Sequence, residues 1–221
     1  MIMRNKKVIL PIVYVLAYLF TFYIVLQYLI YKPSQAGMVS AKLQDASFPY
    51  AVWKLFFYPH IFLGIAALLI GAYQLTKRSR QNPARHKQLG RFYGIAILVN
   101  VLVVPYIALY ATGGTPSTIA FLVLDLFWLG TTAIGIRHIM GKKVLQHRQW
   151  MLRSYAITFV FVTFRIVLAI VQLSIDAPRS FTFPLAVYLS IALNLAITEW
   201  YLGKRRSRNA AQPIEGAMQH V

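Results

Sequence analysis

The sequence predicts an all-α protein, a polytopic transmembrane helical bundle of six helices, and three observations support that prediction. Hydrophobic residues make up 58% of the 221 residues and charged residues only 13%, whereas soluble domains are about a quarter charged. Six apolar runs are each long enough to cross a bilayer core, which takes about 20 helical residues. The basic residues gather in the connections on one side of those runs. The apolar runs are therefore predicted to lie in the lipid bilayer.

The six runs are predicted as helices because backbone groups in lipid must be paired within their own segment. Their continuous apolar character excludes the alternating strands of a barrel. The first run is longer than the ~7–15-residue core of a signal peptide, so we expect it to remain as a membrane helix. The predicted helices lie near 8–31, 55–76, 92–111, 118–138, 154–174 and 181–203.

The lysines and arginines predict the orientation. Eighteen of them lie in the N-terminal segment, the second and fourth connections and the C-terminal tail, and four lie on the other side. The excess of positive charge marks the cytoplasmic side, so both termini are predicted to be cytoplasmic. We expect residues 1–208 to form one domain and residues 209–221 to be a disordered tail.

Composition excludes several function classes. The net charge of +18 lies in short connections between membrane runs, so it has a topological cause and nucleic acid is not expected as a partner. The chain contains no cysteine, which excludes disulfides, iron–sulfur clusters and thioether-bound haem. A metal or haem would have to be held by His, Met, Tyr or carboxylate side chains.

A short internal repeat links two of the connections. His86-Lys-Gln-Leu-Gly-Arg-Phe-Tyr93 and His147-Arg-Gln-Trp-Met-Leu-Arg-Ser-Tyr155 share a His-basic-Gln start, followed by arginine, one residue and tyrosine. Helices two and three would then be one hairpin, and helices four and five its tandem copy. Parallel repeats are related by an axis along the membrane normal, which would place His86 and His147 at equivalent positions.

The predicted second helix carries a stripe of small and polar residues. The spacing of its members puts them on one face, and they are His60, Gly64, Ala67, Gly71 and Gln74. One interpretation is close packing, because small residues let membrane helices approach each other. The other is a slot for a flat ligand such as haem or quinone beneath His60.

The predicted fifth helix carries a polar stripe of Ser154, Thr158, Arg165 and Gln172. An arginine within a membrane helix should face the bundle and find a partner. Asp125 lies at a similar depth in the outer half of the fourth helix, so we expect an ion pair with Arg165. The alternatives are an arginine that clamps a cofactor carboxylate and an aspartate that takes part in proton transfer.

His86 and His147 are the candidate metal ligands on the predicted inner side, because histidine is a common metal and haem ligand. Both also lie beside basic residues at helix starts, where an interfacial role among anionic lipid headgroups would explain them equally. His60 enters the outer half, where it would share a site with Asp125 and Arg165.

These motifs resemble a known family. His60-x-x-x-Gly64, the two histidine strings and Val162-Thr-Phe-Arg165-Ile are similar to a family of bacterial predicted membrane proteins of unknown function, over about 55–203. The resemblance implies a polytopic bundle in the bacterial cell membrane. The helical core is more broadly similar to b-type membrane cytochromes, which implies haem b as a cofactor.

Three functions therefore stay open at this point. The first is a redox protein that binds haem or quinone, with His86 and His147 as inner ligands, His60 as an outer ligand and Arg165 as a clamp. The second is a non-enzymatic assembly or scaffold protein. The third is a small proton-linked transporter. The expected partners of the protein are the lipid bilayer and other membrane redox or assembly proteins.

Overall fold

Long apolar helices dominate the structure, which is a computed structural model. It describes residues 2–31 and 33–218, and within them the side chains of residues 11–31 and 34–207. All regular secondary structure in those residues is helical, as predicted. The α-helices are α1 (Ile2–Val25), α2 (Gly37–Leu43), α3 (Tyr50–Gln74), α4 (Lys77–Gln81), α5 (Pro83–Ala108), α6 (Thr115–Met140), α7 (Val144–Thr158), α8 (Val160–Ser174) and α9 (Arg179–Met218).

Five helical segments are long and apolar enough to cross a membrane on their own. A π-helical turn over Leu26–Ile30 continues α1, so the first span covers Pro11–Ile30. The others are Tyr50–Gln74, Pro83–Ala108, Thr115–Met140 and Arg179–Ser207. A sixth span exists if α7 and α8 are counted as one bent unit. The structure therefore supports a multi-pass membrane bundle of five to six spans.

The predicted fifth helix, 154–174, is wrong as a single straight element. α7 begins ten residues earlier, at Val144, and α8 leaves it at an angle of 43° after Phe159. Carbonyls in the last turn of a helix have no partner within that helix. Asn194 of α9 donates its amide Nδ2 to the Ala156 carbonyl at 2.9 Å, and the same atom lies 3.0 Å from Oγ1 of Thr163 on α8. One buried amide thus joins both sides of the break, as inserted side chains do at helix kinks.

Two antiparallel hairpins form most of the bundle. α3 packs along α5 and α6 packs along α7, while α9 closes the bundle against α6, α7 and α8. The central core contains Ile97, Trp128 and Val187 from three of these helices. The tandem relation between the hairpins stays a prediction.

Large apolar side chains cover much of the bundle's outside. Leu102 is 71% exposed, Leu126 67% and Leu173 89%. Soluble monomers seldom expose such extensive apolar surface, so this surface is the one that lipid would cover.

We call the end of the bundle that carries α4, the start of α7 and residues 204–206 of α9 the basic end.

Two helices begin before their predicted bounds: α3 begins at Tyr50 and α5 begins at Pro83. α5 thus includes the polar residues 83–91 at the basic end. α9 is helical to Met218, past residue 209 where we predicted a disordered tail, and residues 219–221 lie outside the described residues.

A short helix covers the opposite end of the bundle. α2 lies in the connection between the first two spans, and the Lys42 ammonium donates to the Tyr110 carbonyl and lies 5.8 Å from the ring centre of Phe48. Burial lowers the pKa of Lys42. Asp45 accepts from the hydroxyl of Ser47 at 2.7 Å and from its N–H at 2.9 Å, and these bonds lower the pKa of the Asp45 carboxyl. The bond from Lys42 to Tyr110 and the bonds around Asp45 thus hold this connection in place.

Replacing Asn194 tests the stabilisation of the break. In Asn194→Leu, the Ala156 carbonyl loses its donor without loss of packing volume, so we expect the free energy of unfolding to fall by ~1–3 kcal/mol. Equilibrium unfolding of the purified protein in detergent measures this. The matched control is Ser190→Ala, a buried α9 residue whose hydroxyl bonds only to Ala186 of its own helix. An equal loss in both variants would contradict the assigned role.

Candidate functional site

Five buried side chains from α5, α6 and α7 form a hydroxyl cluster, Tyr93, Trp128, Thr132, Ser154 and Thr158. The Tyr93 hydroxyl lies 2.9 Å from Oγ of Ser154 and 2.8 Å from Oγ1 of Thr158. Nε1 of Trp128 donates to Oγ1 of Thr158 at 2.8 Å, and Oγ1 of Thr132 lies 2.7 Å from Oγ of Ser154. The cluster joins the two hairpins in the interior of the bundle.

The hydrogens of the hydroxyl cluster are all used within it. Thr132 donates to the Trp128 carbonyl and Thr158 to the Ser154 carbonyl. Ser154 must then donate to Thr132, and Tyr93 donates between Ser154 and Thr158, because each hydroxyl has one hydrogen. No donor remains for a ligand. The cluster is therefore a closed structural network.

Aromatic rings of the protein itself fill the space beside the small residues of α3. A methyl group on Gly64 would lie 3.8 Å from the Phe161 ring. A methyl group on Gly71 would lie 2.7 Å from Cε2 of Tyr155 and 3.0 Å from Cε2 of Tyr93. Ala67 is fully buried. Of the two interpretations of this stripe, the structure favours close packing.

His60 is half-buried and is hydrogen-bonded to a buried polar residue. Its Nδ1 lies 2.9 Å from Oδ1 of Asn100, whose Nδ2 donates to the Ala96 carbonyl. That donation fixes the amide orientation, so Nδ1 of His60 is the donor to Oδ1. Phe161 packs edge-on against the imidazole, with ring centres 5.8 Å apart. Phe161 thus occupies the position beneath His60 that a flat ligand would take under the second interpretation of the stripe.

The predicted ion pair between Asp125 and Arg165 is wrong. Asp125 is buried on α6, and its Oδ2 has no hydrogen-bond partner among the described residues. Arg165 is exposed on α8, with its guanidinium 5.7 Å from the ring centre of Phe164. The stripe that placed Arg165 assumed one straight helix, and the break at Phe159 divides it. Ser154 and Thr158 face the interior, while Arg165 and Gln172 do not.

A chain of hydrogen bonds fixes His86 at the basic end. Nε2 of Gln74 donates to the His86 carbonyl at 2.8 Å, so its Oε1 faces Ser79 and accepts from the Ser79 hydroxyl at 2.6 Å. Ser79 has then used its hydrogen, and it lies 2.9 Å from Nδ1 of His86. Nδ1 must be the donor, which leaves the lone pair of the neutral ring on Nε2.

His147 is held in the same way. Its Nδ1 lies 2.8 Å from the Gly135 carbonyl, and a carbonyl can only accept, so Nδ1 carries the hydrogen. Nε2 of the neutral ring again keeps its lone pair. Both imidazoles are half-buried, and His147 and Arg80 both lie near His86. The described side chains hold no group of three or more His, Asp or Glu residues with the arrangement of a metal site.

A protein-family model, described as "Predicted membrane protein (DUF2306)" and of unknown function, matches residues 57–202. The chain belongs to this family. This confirms the predicted family, while the similarity to b-type membrane cytochromes stays a prediction. The DUF2306 region runs from α3 to α9, so it includes both hairpins and both basic-end histidines, while α1 and α2 lie outside it. No curated protein and no solved structure matches the chain.

Sequence reasoning missed two interior partners of this DUF2306 chain. Asn100 and Asn194 lie deep within apolar runs and are buried. Amide side chains at such positions usually bond across helices, so their position alone was a usable signal. Trp128 was also missed as a hydrogen-bond donor to Thr158.

Adding one methyl group to the filled stripe tests its packing. We expect Gly71→Ala to destabilise the protein by ~1–3 kcal/mol, because the Tyr155 and Tyr93 rings must move. The control is Gly130→Ala on α6, where a methyl group meets nothing within 4 Å. Thermal unfolding in detergent compares the two. An unchanged Gly71→Ala protein would argue for an open slot.

A double-mutant cycle tests the separation of Asp125 and Arg165. Since the two side chains make no contact, the effects of Asp125→Asn and Arg165→Gln on the free energy of unfolding should add to within ~0.5 kcal/mol. A double variant that is clearly more stable than the sum of the two single effects predicts would be evidence for the ion pair.

Proposed function

We propose that this membrane protein binds haem at its basic end, where Nε2 of His86 and Nε2 of His147 would hold the iron, and that it has a redox role in the membrane. The observation that carries the proposal is the pair of fixed imidazoles. Each ring gives Nδ1–H to a protein acceptor and keeps Nε2 for a ligand. Histidines that ligate metals are usually held in this way.

The number of ligands favours haem over a simple metal ion. Structural zinc takes four protein ligands and catalytic zinc takes three. A site with two histidines suits a group that brings its own remaining donors, and a porphyrin supplies four nitrogens in a plane. Arg80 adds positive charge near His86, which suits the carboxylates of haem.

We further propose that the basic end faces the cytoplasm. The basic residues of α4, of the α6–α7 connection and of α9 support this orientation through the excess of positive charge on cytoplasmic loops. The haem would then lie near the inner surface of the membrane.

One fact favours a second candidate, a non-enzymatic assembly protein. The interior positions best suited to a flat ligand, Gly64 and Gly71, are filled by Phe161, Tyr155 and Tyr93. Under this alternative His86 and His147 tie connections to helices, and Nε2 has no ligand.

Absorbance spectroscopy tests the haem proposal. We expect protein produced with ample haem supply to show a Soret band and, after dithionite reduction, the sharp α band of low-spin iron with two histidine ligands. His86→Ala and His147→Ala should each lose the low-spin spectrum and lower the haem content by about tenfold or more, since even outer-shell partners are worth 10–100-fold.

The matched control is His138→Ala, a half-buried histidine near the end of α6, which should keep the spectrum. Size-exclusion chromatography shows whether each variant is folded. A wild-type protein without a Soret band would exclude haem and favour the assembly role. A low-spin spectrum in the double variant His86→Ala/His147→Ala would assign the iron to other ligands.

A further inference from the structure

We propose that a groove between α7 and α9 at the basic end binds the phosphate group of an anionic phospholipid. The groove encloses a cavity of about 40 Å³. Three arginines and three leucines line it, namely Arg148, Arg205, Arg206, Leu145, Leu152 and Leu202. This site uses none of the residues assigned to haem, so it stands whether or not haem binds.

The groove has far more positive than negative charge. Arg148 lies within Coulombic range of both Arg205 and Arg80. The neighbouring carboxylate, Glu199, is already bound by Arg153 through two bonds of 2.5 and 2.9 Å, although it also lies within Coulombic range of Arg206. Arg153 and Glu199 form the one ion pair among the described side chains. The groove arginines therefore lack a carboxylate in direct contact there, and an anion would relieve their mutual repulsion.

Arginine suits a phosphate group in particular. The planar guanidinium donates two parallel hydrogen bonds to phosphate oxygens, and three such groups on two helices can surround one phosphate. A free phosphate would contact only the arginines of the groove and would leave its leucines unused.

The leucines and the position of the groove point to a lipid. Leu152 follows Arg148 by one turn of α7 and Leu202 precedes Arg205 by one turn of α9, so apolar side chains adjoin the arginines on the side toward the spans. Trp200 is 51% exposed on α9, and the ammonium of Lys204 lies 3.9 Å from its ring centre. Tryptophan and lysine at a span's end mark the headgroup level, and basic pockets between membrane helices at this level bind anionic headgroups.

Binding of pyrene-labelled phosphatidylglycerol to the full-length protein in a non-ionic detergent tests the proposal. Energy transfer from the protein's tryptophans to pyrene reports occupancy, and Trp150 and Trp200 lie on the two helices that form the groove. We expect phosphatidylglycerol to bind at least about tenfold more tightly than phosphatidylcholine. Equal affinity for both lipids would overturn the proposal.

The variant Arg148→Gln/Arg205→Gln/Arg206→Gln should bind phosphatidylglycerol at least about tenfold more weakly. The matched control Lys77→Gln/Arg78→Gln/Arg85→Gln removes the same charge from exposed positions at the same end and should change affinity by less than about threefold. Equal losses of affinity in the two variants would show that general surface charge causes the binding, and they would overturn the proposed site. If the groove variant does not fold, as judged by size-exclusion chromatography, Arg148→Gln/Arg205→Gln replaces it under the same criterion.

Competition separates the two sources of phosphate. Unlabelled phosphatidylglycerol should displace the probe, and millimolar inorganic phosphate should not. Equal displacement by inorganic phosphate would overturn the lipid assignment and make the groove a site for a soluble phosphate. Loss of haem binding in the histidine variants would leave all of these results unchanged.

Discussion

Polar groups within the membrane must find partners inside the protein, and this constraint organises the bundle. Lipid offers no hydrogen bonds, so interior hydroxyls and amides are stabilised by bonds between helices or back onto their own helix. Asn194 joins both sides of the α7–α8 break, Asn100 holds His60, and Tyr93 links the two hairpins through Ser154 and Thr158. These bonds use the hydrogens of the hydroxyl cluster, while His86 and His147 each keep a free Nε2 at the basic end.

Much of the fold could be predicted from the sequence because membrane spans are defined by composition along the chain. The apolar runs identified the spans, and the DUF2306 match over 57–202 confirmed the family. Helix ends were less accurate because hydropathy measures lipid contact and not helicity. The polar turns at Pro83–Arg91 and Val144–Arg153 extend helices beyond the apolar core. The break at Phe159 was missed because the side chain that bonds to both sides of it, Asn194, lies on another helix.

The candidate site was harder to predict, since depth along a helix is only one of the coordinates that decide a contact. Asp125 and Arg165 were matched by depth, but the direction in which each side chain points decides whether they meet. The break before α8 changes that direction for Arg165. The roles of Gln74 and Ser79 in fixing His86 depend on packing of α3, α4 and α5, which one sequence without packing information does not give.

The basic end combines two properties that are usually considered separately. Its lysines and arginines are the basis of the proposed cytoplasmic orientation, and the same charges create a surface that would attract anions. Two imidazoles are fixed within that surface by bonds that use only Nδ1. A glutamine amide could also donate one hydrogen bond to a carbonyl, so tying a connection to a helix does not by itself require histidine. What histidine adds at both positions is the second nitrogen, and the proposed haem is a ligand that would use both of these nitrogens.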